Sequence, residues 1–253
     1  MLRLRIFLSM IFFAALTGCT SHMLYDQADG EGDYSLAVKT QSVVFIHGMY
    51  LTPSVWQPWE TYFQDLGYTT YSPAWPLHGA SVAEQNSLHP KEALAELTLP
   101  MVVQYYQEFI EKMDEPPILI GHSMGGLIVQ QLLARNVGAA GIAINSAPPQ
   151  GVISMKWHFL QANWPHLSPF ASSTEPSQLT LEQFSFGFVN GESSDMQKQA
   201  FENYVVPESR AVGKAALSND GEVDYEVARV PLLIISGGKD NTIPASLNYS
   251  NFE

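Results

Sequence analysis

The stretch ILIGHSMGGLIVQQLL, residues 118–133, decides the fold. Ile118-Leu119-Ile120 follows the breaker pair Pro116-Pro117 and reads as a short buried strand. Leu127, Ile128, Leu132 and Leu133 recur at helical spacing in a helix predicted over Gly125 to Asn136. Between strand and helix lies G-x-S-x-G, in the strand, turn, helix context that its mechanism requires. The glycines let the backbone bend sharply beside the serine, and the helix N-terminus offers N–H groups to developing negative charge. Ser123 is therefore the candidate nucleophile and the N–H of Met124 a candidate oxyanion donor. Gly121, His122 and Gly125 complete the elbow, and the His122 side chain is expected to point away from the serine hydroxyl in a structural part.

Upstream, Ser42-Val43-Val44-Phe45-Ile46 is a second apolar strand, ending in His47-Gly48-Met49-Tyr50. The residue after His-Gly, Met49, supplies the second candidate oxyanion N–H, because two donors from two loops suit acyl transfer. Thr52-Pro53 signals a helix start reaching about Leu66, and Tyr68 to Tyr71 begins another strand. Thr98 opens a helix carrying Met101, Val102, Tyr105, Phe109 and Met113; Ala140–Ile144 and Val230–Ile235 are further strands. Apolar strands alternating with helices imply an α/β fold, a mostly parallel sheet covered by helices on both faces. Over about 149–210 that rhythm breaks and aromatics crowd in, among them Trp157, Phe159, Trp164, Phe184 and Phe188. An inserted, mainly helical cap within a domain spanning 41–253 accounts for it, since such aromatics bury themselves or cover a pocket.

With these motifs, VVFIHGMYLTPSVWQPW, ILIGHSMGGLIVQQLL, AGIAINSAPPQGV and VPLLIISGGKDNTIP, the chain resembles the α/β-hydrolase superfamily from about Ser42 to Glu253. The resemblance implies a serine hydrolase of ester-like acyl substrates acting through an acyl-enzyme. It makes Ser123 the nucleophile and Asp240 the triad acid. Some members carry the acid after the strand before the cap, where this chain has Asn145, an amide without the needed charge. A carboxylate nucleophile is missing at position 123, so dehalogenation is disfavoured. No metal or organic cofactor is implied.

Members of that superfamily place the catalytic histidine after the acid. Here the seven histidines are His22, His47, His78, His89, His122, His158 and His166, and all precede Asp240. A substitute would need both Ser123 and an acid within hydrogen-bond reach. The expectation is a chain lacking the last strand and helix of the fold, its activity impaired or absent. The competing expectation is a catalytically inactive envelope lipoprotein that binds a hydrophobic ligand or partner.

The N-terminus supports an envelope setting. Arg3 and Arg5 precede the apolar stretch Ile6–Ala15, giving a signal peptide over 1–18. Leu16-Thr17-Gly18-Cys19 resembles the bacterial lipobox, which implies a lipidated Cys19 on a polar tether over 19–40 and anchoring to a membrane. Thr20 after that cysteine favours the outer membrane. Loss of the signal removes two arginines from the 12 basic residues, leaving 10 against 25 acidic, a net −15. Such a surface suits neither nucleic acid nor anionic lipid and leaves a small-molecule or lipid-like acyl substrate as the expected partner.

Overall fold

The computed structural model describes residues 38–88, 91–152, 157–168, 175–227 and 230–253. Cys19, the signal peptide and most of the tether lie outside them. Five strands form one parallel sheet: β1 (Ser42–Ile46), β2 (Thr69–Tyr71), β3 (Ile118–His122), β4 (Ala140–Ile144) and β5 (Leu232–Ile235), in the order β2-β1-β3-β4-β5. The register aligns Phe45 with Ile120 and Gly121 with Ala143. The C-terminal ends of β1, β3 and β4 therefore lie side by side, at the edge where open parallel sheets place their sites. β1 is buried along its whole length, as its unalternating Val-Val-Phe-Ile run predicts for a strand covered on both faces.

Helices occur where the spacing placed them, with shifted ends. After a 3-10 turn at Pro53–Trp56, α1 runs over Gln57–Asp65. Two short helices, α2 (Val82–Ser87) and α3 (Glu92–Ala95), precede α4 (Leu99–Ile110). On α4 the buried stripe is Leu99, Val102, Val103, Tyr106 and Ile110, while Met101 and Tyr105 are exposed. The stripe is thus rotated from the expected one, because Tyr106 buries its ring and still satisfies its hydroxyl by donating to the Pro73 carbonyl at 2.7 Å. α5 (Met124–Ala134) is buried from Met124 through Leu133. Its two buried glutamines donate to partners, Gln130 to Ser146 Oγ and Gln131 to the carbonyls of Asp220 and Glu222, while among the described residues the Gln131 Oε1 accepts no hydrogen bond.

Between β4 and β5 the chain makes α6 (Trp157–Leu167), α7 (Leu181–Gly187), α8 (Ser194–Tyr204) and α9 (Arg210–Lys214). α7 begins with a capping box between Thr180 and Gln183. Phe184 stacks on Phe188 at 5.3 Å and packs on Phe201 at 5.9 Å. Trp157 and Trp164 remain exposed, so only part of the aromatic run fulfils the expected covering role. After β5, α10 spans Ala245–Phe252. β5 forms one edge of the sheet, with Leu233 exposed. No helix among the described residues is long and apolar enough to cross a membrane.

Candidate active site

Ser123 sits between β3 and α5 at φ 57, ψ −122, a conformation that costs a non-glycine residue about 1–3 kcal/mol. The surroundings hold it there. Its N–H donates to the Ile144 carbonyl at 3.0 Å, and its carbonyl accepts from Gly126 at 2.9 Å and Ala147 at 2.8 Å. Gly125 lets α5 approach β1 so closely that a Cβ there would lie 2.2 Å from the Ile46 carbonyl oxygen. A Cβ on Gly48 would lie 2.9 Å from that of Ser123, which places the loop after β1 directly against the serine.

On these two loops, Met49 and Met124 are buried. Among the described residues neither backbone N–H has an acceptor, whereas the adjacent N–H groups of Ser123 and Tyr50 are committed. Two unspent donors beside a serine are chemically available to an oxygen that gains charge.

Ser123 and Asp240 line one cavity of about 320 Å³. Leu51, Val55, Ile144, Phe184, Phe188 and Ile243 give it apolar walls. Asp240 lies in the loop after β5, where its Oδ1 accepts from the N–H groups of Thr242 at 2.8 Å and Ile243 at 2.7 Å. Among the described residues its second oxygen has no hydrogen-bond partner. Burial raises its pKa to about 6, against the opposing effect of those two N–H donors.

His122 lines the same cavity, and burial lowers its pKa to about 4. His47 is fully committed elsewhere: its Nδ1–H donates to the Gly48 carbonyl at 2.9 Å and its Nε2 accepts from the Trp75 N–H at 3.2 Å. Burial and the neighbouring His78 lower the His47 pKa to about 3, so the ring is neutral. His78 is buried 3.2 Å from Glu208. His158 is exposed with its ring 6.1 Å from that of Phe186. His22 and His89 lie outside the described residues. Among the described residues no group of three or more His, Cys, Asp or Glu could hold a metal ion.

A family model described as the alpha/beta hydrolase family matches residues 43–250. This chain belongs to the alpha/beta hydrolase family. Solved structures of other alpha/beta hydrolases share its fold. An extracellular alpha/beta-hydrolase from a Paenibacillus species is 22% identical, with a TM-score of 0.59 and 80% of each chain covered. The monoacylglycerol lipase of Paleococcus ferrophilus is 20% identical, with a TM-score of 0.59, covering 83% of this chain and 78% of its own. A pyrethroid hydrolase from Sphingobium faniae is 15% identical, with a TM-score of 0.60 and 83% of each chain covered. No curated protein matches the chain.

Several contacts that shape this hydrolase site gave no signal in the sequence. Asn145, at φ 42, accepts the Gly237 N–H on its Oδ1 at 2.6 Å and so ties the end of β4 to the loop that carries Asp240. That loop is in turn moored to the helices above it. Thr242 Oγ1 donates to the Gly187 carbonyl, Asn241 to that of Phe186, Asn190 to that of Lys239, and Asn163 to that of Thr242. These partners are far apart in sequence, and the position of Asn145 after β4 marked the residue but not its bond to Gly237.

Proposed function

We propose that the protein is a serine hydrolase that cleaves ester-like acyl substrates through an acyl-enzyme on Ser123. One observation carries this reading: a serine on a strained elbow shares an apolar cavity with a half-buried carboxylate whose second oxygen is unspent. The serine Oγ attacks the substrate carbonyl, and the N–H groups of Met49 and Met124 receive the oxyanion. Asp240 orients an imidazole that takes the serine proton and later delivers it to the leaving group. The apolar walls favour an acyl or alcohol moiety without charge. The names of two structural neighbours, a monoacylglycerol lipase and a pyrethroid hydrolase, support a hydrolytic function.

Within these 253 residues no histidine follows Asp240. His47 and His78 are engaged elsewhere, and a serine hydrolase deprived of its base loses on the order of 10⁶ in turnover. The same observation favours a second reading, an envelope protein that binds an apolar ligand without turning it over. A fluorophosphonate probe separates the two, assayed with and without added imidazole as a replacement base. Labelling that Ser123→Ala abolishes supports the hydrolase; silence under both conditions leaves the binding protein. Anchoring through lipidated Cys19 in the cell envelope is the setting we infer from the lipobox-like segment. Cys19→Ser is then expected to move the protein from the membrane to the soluble fraction, and unchanged fractionation would refute it.

A further inference from the structure

A buried charge pair lies behind the loop that carries Met49. Glu208, 0% exposed, places Oε2 3.2 Å from Nε2 of His78, 1% exposed, and its Oε1 accepts the Ser209 N–H at 2.7 Å. His78 donates from Nδ1 to the Pro76 carbonyl at 3.1 Å. Burial alone would lower the His78 pKa, but the charge and hydrogen bond of Glu208 and the Pro76 carbonyl outweigh it, with Lys91 opposing, and raise it. Burying both charges is costly, and a fold needing only bulk here would do as well with apolar side chains. The remaining contact of the carboxylate shows where that cost is applied: Oε2 also accepts the Tyr50 N–H, at 3.4 Å. That distance is long for a hydrogen bond, and the acceptor's charge strengthens it.

Tyr50 needs holding. It stands at φ 63, a region that bulky residues rarely adopt, immediately after Met49. Every polar group of Tyr50 is tied to the segment between β4 and β5. Its carbonyl accepts from the Val206 N–H at 2.9 Å, and its hydroxyl pairs with Ser177 Oγ at 2.8 Å. Ser177 and Glu208 are themselves joined by an antiparallel bridge, with N–H to carbonyl distances of 2.7 and 2.8 Å. The residues just before α7 and just after α8 are thus zipped together, and the zipped pair grips the loop after β1.

We propose that Glu208, neutralised by His78, is a positioning residue that holds Tyr50 in its strained turn and thereby aims the Met49 N–H at the serine. The inference rests on the reading of Met49 as an oxyanion donor. The carboxylate touches no substrate atom; it acts through the backbone of Tyr50.

The test uses the 253-residue chain with Glu208→Ala, Glu208→Gln and the double variant His78→Gln/Glu208→Gln. Amide exchange over residues 47–52 is expected to rise at least tenfold in Glu208→Ala and to return towards wild type in Glu208→Gln, whose side-chain oxygen still accepts the Tyr50 N–H. Exchange over α5 should change little. Unchanged exchange in 47–52, or an equal rise across the molecule, overturns the proposal. If Glu208→Ala does not fold, the double variant decides. Retained protection of 47–52 is expected, because the amide oxygen can still accept the Tyr50 N–H without the charges, at the expense of the Ser209 N–H, and lost protection counts against the side-chain hydrogen bond as the tie. With a p-nitrophenyl ester, Glu208→Ala should lower kcat about tenfold with KM within twofold, and an effect confined to KM counts against it. A wild-type chain that neither labels nor turns over defeats the hydrolase reading, while the exchange result still decides whether Glu208 positions the loop.

Discussion

Asp240→Asn should make the protein more stable and less able to orient an imidazole. The carboxylate pKa is raised from 3.8 to about 6 in the folded chain, chiefly by burial. The folded state therefore binds more protons than the unfolded state across that interval, and stability falls as pH rises through it. Above about pH 6 the cost is constant, and a displacement of this size corresponds to about 3 kcal/mol at pH 7–8. Asparagine keeps an oxygen for the Thr242 and Ile243 N–H groups and carries no charge to desolvate. The substitution should recover most of that energy at pH 8, on the order of 6–12 °C in Tm for a chain of this size. At pH 4.5, where wild-type Asp240 is mostly protonated in the fold, the gain should shrink to about 1 kcal/mol. Urea unfolding of both proteins at the two pH values measures this directly. A variant that is less stable at pH 8, or whose gain is the same at both, would show that the two backbone bonds outweigh desolvation. The expected trade of stability for function places Asp240 among sites held against their own folding preference.

Four further outcomes follow from the geometry. Ser123→Gly should relieve the strained φ and raise stability by about 1 kcal/mol in urea melts, net of glycine's extra unfolded-state entropy, while abolishing fluorophosphonate labelling. Gly125→Ala should destabilise by more than about 4 kcal/mol, seen as loss of soluble protein, because its Cβ would meet the Ile46 carbonyl at 2.2 Å. Gly48→Ala, crowding Ser123 Cβ at 2.9 Å, should fold yet label more slowly, and normal labelling would place the loop farther from the serine. Asn145→Ala strands the Gly237 N–H at a buried site, and a loss of about 1–3 kcal/mol in urea melts is expected.

Most strands were legible because they are short apolar runs bounded by turn residues, and β4 matches its expected bounds, Ala140–Ile144, whereas β2, Thr69–Tyr71, is polar and largely exposed. The turn at Ser123 was legible for the same local reason: Gly-x-Ser-x-Gly between a strand and a helix leaves the backbone few alternatives. The α4 stripe was misplaced by one residue because Met101, Tyr105 and Tyr106 are all apolar enough to be buried. Which of them turns inward depends on the Pro73 carbonyl waiting for a hydroxyl.

What the sequence determined by itself is therefore the parallel α/β arrangement, the elbow with Ser123, and the position of Asp240 after the last strand of the sheet. Tertiary structure alone decided that Ser123 and Asp240 share one apolar cavity, that His47 and His78 are spent on other partners, and that Glu208 reaches the turn beside Met49. The physical reason is the range of the interactions. Turn chemistry and periodicity act over a few residues and leave a pattern in the chain, whereas a buried charge pair or a side-chain latch is specified by whichever groups the fold brings together away from water.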